Sequence, residues 1–400
     1  MNDNITQNIK TKKNTVGINE IYTFFIIVSP ILFIYGTGLG SITLSDMILL
    51  ILNILLLFKG LMSGKMNIFL NLIPFFIYIV VVTLLNESDF DVWFRTFRYL
   101  FYLINIIFFA KAHFNFDFGI KVYKVMSLVS TGFLFFQVLI YRFLGIYIPG
   151  VILSANLMAS DLYEYNRVFQ QAQFKRFMSF FEEPSHYAIY ILGYITILLF
   201  LKMNCGRFTK KEICEFCFLS GGIALSTSIL GVIVLGGMFS IWIGINLFKN
   251  KKSFTKFIFF AFVFIIAVIL ISKTTAFEYF TDSSIVSRQA NGRFDGYALI
   301  HEWSTDIVTN MFGRGMERLG SGIYLASYPL MIYYFGFIGL ALFILAFIPF
   351  FIRRKINISV ALLICLFSIS LGSEILLGRY ILVFLPLVIT GNRQKEHLIV

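Results

Sequence analysis

The stretch KRFMSFFEEPSHYAIYILGYITILLF, residues 175–200, places Lys175 and Arg176 a few residues before Glu182, Glu183 and His186, then runs straight into apolar sequence. These residue types suit acid–base chemistry beside an anion. A carboxylate or an imidazole can accept the proton of an attacking hydroxyl. A guanidinium holds phosphate or carboxylate oxygens two at a time and stays charged. Pro184 fits the first position of a helix, with Ser185 or Glu183 as its cap. In such a helix Glu183 and His186 share a face. A carboxylate there is stabilised in its charged form. The plain alternative is a capping carboxylate beside an interfacial histidine.

A second polar stretch, SRQANGRFDGYALIHEWSTDIVTNMFGRGMERLGSG, covers residues 287–322. Arg288 and Arg293 flank the turn-forming Asn291-Gly292 pair. His301 follows on a helix expected at about 295–310, and Arg314 and Arg318 lie among Gly313, Gly315, Gly320 and Gly322. Flexible backbone beside guanidinium suits a phosphate. The Ser226-Thr227-Ser228 turn offers hydroxyls, which can equally close the turn itself. Glu374 and Arg379 complete the set. The base candidates are Glu183, His186 and His301. The candidates for binding an anionic substrate are Arg176, Arg288, Arg293, Arg314, Arg318 and Ser228. A cation beside Glu183 lowers its pKa and weakens it as a base, which keeps His186 in play. HExxH, GK[ST] and Gly-x-Ser-x-Gly patterns are absent. The Cys214/Cys217 CxxC has no second pair. Metal-free chemistry without a cofactor is expected.

The elements that must carry these residues are membrane helices. The chain is 58% hydrophobic and 14% charged, with mean hydropathy +0.83; soluble domains average about 25% charged. Apolar runs at 21–38, 42–58, 67–85, 96–112, 122–142, 185–202, 213–227, 229–248, 257–272, 328–352, 356–373 and 379–391 predict about twelve spans. The expected fold is an all-α polytopic membrane protein, one integral domain over 1–400. Two longer external loops, about 143–184 and 273–327, contain short helices and form the active region. The polar N-terminal segment precedes a first span that lacks a cleavage site, so that span is expected to be retained.

With both termini on the cytoplasmic side, every cytoplasmic loop is basic, as orientation requires. That assignment puts Lys111, Lys121 and Lys124 in one such loop and leaves span interiors almost uncharged. The cytoplasmic cations are 17 Lys and 4 Arg, whereas those outside are 10 Arg, Arg98 and Arg379 among them, and 2 Lys. Lysine suffices for topology, so external arginine points to an anionic ligand; pairing with nearby acids is the alternative. The net charge of +12 belongs largely to the loops and does not indicate nucleic acid.

The run Arg176, Phe180, Phe181, Glu183, Pro184, Ser185, His186, Tyr187, Ala188 resembles the external loop of Wzy-type O-antigen and capsule repeat-unit polymerases. SRQANGRFDGYALI, FGRGMERLGSG and YYFGFIGLALFIL follow in the same order, over roughly residues 90–390. Members often carry Arg after the serine of the Ser/Thr-rich turn, where this chain has Ile229. The resemblance implies a GT-C-like glycosyltransferase of the bacterial cytoplasmic (inner) membrane, acting in lipopolysaccharide or capsule biosynthesis. Such an enzyme moves a growing glycan from undecaprenyl pyrophosphate to a lipid-linked repeat unit on the external face. Its partners would be the lipid-linked donor and acceptor, the bilayer and a chain-length regulator. An O-antigen ligase, using lipid A core as acceptor, shares the pattern. A flippase is the third reading; transporters place ionisable groups near the midplane and often show inverted repeats.

Overall fold

The computed structural model describes residues 17–38, 42–63, 67–86, 89–150, 153, 176–203, 208–249, 295–300, 307–317, 319, 324–352 and 357–391. Among them the chain is helical, with no strand and one isolated bridge between Gly36 and Thr43. The helices are α1 (Ile18–Leu32), α2 (Leu44–Ser63), α3 (Ile73–Leu85), α4 (Phe90–Ile104), α5 (Phe116–Leu144), α6 (Pro184–Met203) and α7 (Lys210–Leu225). They continue with α8 (Ile229–Lys249), α9 (Ile307–Phe312), α10 (Ser327–Leu345), α11 (Ile348–Ile352), α12 (Ile358–Ser370) and α13 (Ile381–Gly391). A π-turn, Asn105–Ala110, carries α4 on to His113. Among the described residues, five stretches are long and apolar enough to cross a bilayer: Leu44–Leu61, Phe90–His113, Phe116–Leu144, Pro184–Leu201 and Ser327–Ile352. The protein is embedded in a membrane. The expected span at 257–272 lies outside the described residues. So do 301–306 of the helix expected at 295–310, whose flanks, 295–300 and α9, are helical.

Burial sorts the helices. The apolar window of α6 is 89% buried, whereas that of α5 is 33% buried, with Val125, Val129, Phe136 and Leu139 exposed. All eleven residues of α13 are buried. A helix that is apolar all round and buried all round belongs at the centre of a bundle. Helix α12 packs on both α6 and α13, and α5, α7 and α8 pack around α6. The runs expected as spans at 356–373 and 379–391 are therefore short central helices of 13 and 11 residues. At 1.5 Å per residue they reach about 20 and 16 Å, against about 30 Å of hydrocarbon. Between them lies an irregular turn, 371–380, that carries functional groups into the bundle.

Two expectations about charge need correction. Lys121 and Lys124 are not loop residues but lie within α5. Lys124 pairs with the buried Glu215 of α7, which also accepts a 2.6 Å hydrogen bond from Tyr194 of α6. Arg98, well inside α4, pairs with Asp46 at the head of α2 (2.9 Å). The span interiors are thus not uncharged; a charge among helices persists where a partner compensates it. The acidic 86–91 segment also has local work. Asp89 caps α4 by accepting from Val92 N (2.9 Å), and Asp91 pairs with Arg95 (3.1 Å).

Helix α10 is broken at Gly336 (φ 63°, ψ −178°). The freed carbonyls of Tyr333 and Tyr334 accept from Arg314 N (3.0 Å) and Gly315 N (2.9 Å). Tyr78 Oη donates to Phe312 O (2.9 Å) and Phe335 O (3.1 Å), tying the break to α3. Non-helical backbone among membrane helices persists only when its polar groups are met in this way. The Gly313–Gly315 segment thus completes a broken helix rather than forming a free loop.

Candidate functional site

Helix α6 starts where the sequence indicates. Tyr187 N donates to Glu183 O (3.1 Å), so Glu183 is the cap and Pro184 the first helical residue. Ser185 Oγ donates to a Glu183 carboxylate oxygen (2.8 Å), which turns that carboxylate back onto the helix start. Its neighbour Glu182 points elsewhere. Glu182 Oε2 lies 3.3 Å from His186 Nδ1 and forms an ion pair with Arg379 Nη2. The carboxylate in contact with His186 is thus Glu182, one turn back, a residue the spacing argument had not paired with it.

Arg379 comes from the 371–380 turn, which is tied down from two sides. Ser327 N donates to Ser373 O (2.9 Å), Leu376 N donates to Ser327 Oγ (3.1 Å), and Tyr99 Oη of α4 donates to Leu376 O (3.2 Å). The Arg379 side chain is 7% exposed and stacks its guanidinium on Phe33, 3.5 Å from the ring centroid. Arg98 approaches the same ring at 5.2 Å. Arg98 is itself held by Asp46 through Nε (3.2 Å) and Nη2 (2.9 Å), and Tyr102 Oη donates to the other Asp46 oxygen (3.0 Å). Thr43 N caps onto Asp46 (3.1 Å), which fixes that carboxylate to the start of α2.

Together these groups line a cavity of about 240 Å³ bounded by Phe33, Arg98, Tyr102, Glu182, His186, the 373–375 and 377–379 segments and Tyr380. It holds two guanidinium groups, two carboxylates and an imidazole in one hollow. The buried Arg379 Nε and Tyr380 Oη make no well-formed hydrogen bond among the described residues, although the guanidinium and the phenol lie close enough to act on each other. Burial pushes the Tyr380 phenol up and works against the Arg379 charge. Glu374 stands open to the cavity. The dense protein around it pushes its carboxyl above the ordinary range; His186 draws it down and Glu183 adds to the rise. Among the described residues no three His, Cys, Asp or Glu side chains gather as a metal site would need.

The other predicted residues go elsewhere or are not described. Arg176 Nε donates to Thr227 Oγ1 (3.2 Å), joining the approach to α6 with the α7–α8 turn. Ser228 accepts from Gly231 N (3.2 Å) and so caps α8. Thr227 (φ 57°) and Ser179 (φ 55°) are non-glycine residues in the left-handed region; such strain collects near functional sites. Arg314 stacks on Tyr333 at 5.4 Å, beside the α10 break and outside the cavity lining. Arg288, Arg293, His301 and Arg318 lie outside the described residues. In the first segment expected to be external, 145–150 is non-helical. Gln137 Nε2 donates to Ile148 O (2.8 Å) and Gln137 Oε1 accepts from Ser179 N (3.0 Å).

Sequence reasoning named Arg98 only as a member of the arginine set expected outside, and Arg379 there and with Glu374 as completing the polar set. It missed Phe33, Asp46 and Tyr102. The excess of arginine over lysine on the side expected to be external was the usable signal. Comparison with family models, curated proteins and solved structures finds no match for this chain.

Proposed function

We propose that the protein is a polysaccharide repeat-unit polymerase of the bacterial cytoplasmic membrane, a metal-independent glycosyltransferase with a GT-C-like arrangement of membrane helices. It would move a growing glycan from undecaprenyl pyrophosphate to a lipid-linked repeat unit on the external face. The observation that carries this reading is the cavity in which Glu182, His186 and Arg379 converge. The resemblance of the 176–188 run to Wzy-type polymerases points the same way.

The chemistry follows from the groups present. The acceptor hydroxyl oxygen bonds to the anomeric carbon as the carbon–oxygen bond to pyrophosphate breaks. The electron pair leaves on a phosphate oxygen, and the hydroxyl proton passes to a base. Preorganised guanidinium groups stabilise the charge that develops on the leaving group; Arg379, with Arg98 across the Phe33 ring, occupies that role. A carboxylate paired with a guanidinium is a weak base, which favours His186 over Glu182. With its Nδ1–H donated to Glu182, the imidazole offers Nε2 as proton acceptor, oriented by the carboxylate.

The test is the ladder of surface polysaccharide on a gel, in a deletion strain complemented with wild type, His186→Asn or Arg379→Gln at matched membrane levels. Wild type restores the ladder, and the variants leave a single capped repeat. Long polymer stranded on its lipid carrier in the deletion strain would instead identify a ligase. Lipid-linked repeats held on the cytoplasmic side would identify a flippase.

A further inference from the structure

We propose that Glu182 occupies, in this structure, the anion site of its own cavity: its carboxylate sits on the Arg379 guanidinium where a diphosphate group binds, and the ligand enters by displacing it. The inference rests on the reading of the cavity as a lipid-diphosphate site and adds how that site is closed and opened.

Four observations bear on it. Arg379 points into a hollow that already holds a carboxylate, and its ion pair is with that carboxylate. The same Glu182 oxygen, Oε2, is also the atom facing His186 Nδ1 at 3.3 Å, so one oxygen serves two cationic or donor groups. Arg379 keeps a second, buried donor, Nε, that makes no well-formed hydrogen bond among the described residues. A diphosphate offers several acceptor oxygens where Glu182 offers one, and so can satisfy both edges of the guanidinium. Finally, Glu182 precedes the helix: α6 starts at Pro184 and the 181–183 segment is a bend. Its side chain can therefore swing without unwinding a turn.

Displacement also links binding to catalysis. While Glu182 is shared, Arg379 takes part of its charge from the imidazole. Once a phosphate takes over Arg379, the carboxylate is left to His186 Nδ1–H alone, which strengthens Nε2 as a base. The site then gains its proton acceptor when the leaving group is in place.

The cost is affinity. A ligand that must first empty its site binds more weakly in proportion to the fraction of protein already open. Binding of inorganic pyrophosphate and of geranylgeranyl diphosphate is measured by calorimetry on the full chain in nanodiscs, for wild type, Glu182→Gln, Glu182→Asp and Arg379→Gln. Glu182→Asp is the informative variant. It keeps the negative charge but withdraws it by one methylene, so simple repulsion of the ligand is unchanged while the seat on Arg379 is vacated. Displacement predicts about tenfold tighter binding for Glu182→Gln and Glu182→Asp alike, as for a site one-tenth open in wild type, and loss of binding for Arg379→Gln. Glu182→Asp binding as wild type does, with Glu182→Gln alone tighter, would mean plain repulsion and sink the displacement. So would both variants binding no tighter. A gain with inorganic pyrophosphate but no binding of the lipid diphosphate would keep the displacement and overturn the lipid-linked reading. Size-exclusion profiles identify any variant that fails to fold, and the two Glu182 variants check each other.

Discussion

Arg379 Nη2 lies 3.4 Å from His186 Nδ1, although 193 residues separate them in the chain. The imidazole enters at the first turn of α6 and the guanidinium from the turn before α13. What brings them together is the central packing of α6, α12 and α13. Between them sits Glu182 Oε2, which both groups face. Two like-charged groups at that distance would repel if the imidazole were protonated, so the shared carboxylate is what lets the pair coexist.

The first prediction concerns that triad. Removing one partner of a buried ion pair strands the other, which costs about 3–5 kcal/mol, whereas removing both costs far less. Arg379→Gln should lower the thermal unfolding temperature in detergent more than Arg379→Gln combined with Glu182→Gln. Simple additivity of the two single changes would show that the pair contributes nothing to the fold.

His186 should matter to rate and not to binding. A well-placed general base contributes about 10²–10⁴ in rate. His186→Gln should cut transfer by that order in a purified assay while affinity for the lipid-linked donor stays within about threefold. The acid limb of the pH–rate profile should vanish with it. A preserved acid limb would assign the base to another group.

The helices were legible because apolar runs of spanning length leave few alternatives, and most boundaries fall within a few residues. The contents of the site were legible only by type. Composition marked arginine on the expected external side, and Glu-Glu-Pro-Ser-His marked a helix start. Which carboxylate meets His186 depends on the 371–380 turn, whose approach nothing local encodes. The same gap hid Phe33, which lines the cavity from the end of α1, and Asp46, which holds Arg98 from the head of α2. Lys124 looked like a topological charge because its compensating partner, Glu215, is 91 residues away. Arg314 looked like a phosphate ligand because its glycines suit one; they suit a broken helix equally well.

That last point is testable. Arg314 borders the α10 break, not the cavity, so Arg314→Ala should restore a full polysaccharide ladder at normal abundance. A single capped repeat from this variant would return Arg314 to the substrate.

Glu374 supplies a dependence on pH. Its carboxyl is raised in the folded protein, chiefly by the protein surrounding the cavity, against an unfolded value of about 4.3. The folded state therefore holds its proton more tightly than the unfolded one. The stability this contributes is present below the unfolded pKa and is lost as pH rises through the folded pKa. Wild type should lose unfolding temperature from about pH 4 upward relative to Glu374→Gln, which has no proton to lose. Parallel curves for the two proteins across that window would show that the cavity leaves this carboxyl at its ordinary value.

Gly336 should resist replacement. Its φ of 63° is a conformation other residues adopt with strain, and a Cβ there would meet the backbone of Met311 and Phe312. Alanine at this position must either close the break or push out the segment that satisfies it. Closing the break strips Arg314 N and Gly315 N of the Tyr333 and Tyr334 carbonyls. Gly237 in α8 is the natural comparison, since nothing lies within 4 Å of where its Cβ would be. In a helix interior, glycine to alanine is favourable by about 1 kcal/mol. Gly336→Ala should therefore lower the unfolding temperature while Gly237→Ala holds or raises it, both read by the same thermal melt in detergent. If Gly336→Ala melted like wild type, α10 would tolerate a continuous helix, and the docking of residues 311–315 would not be what keeps it broken.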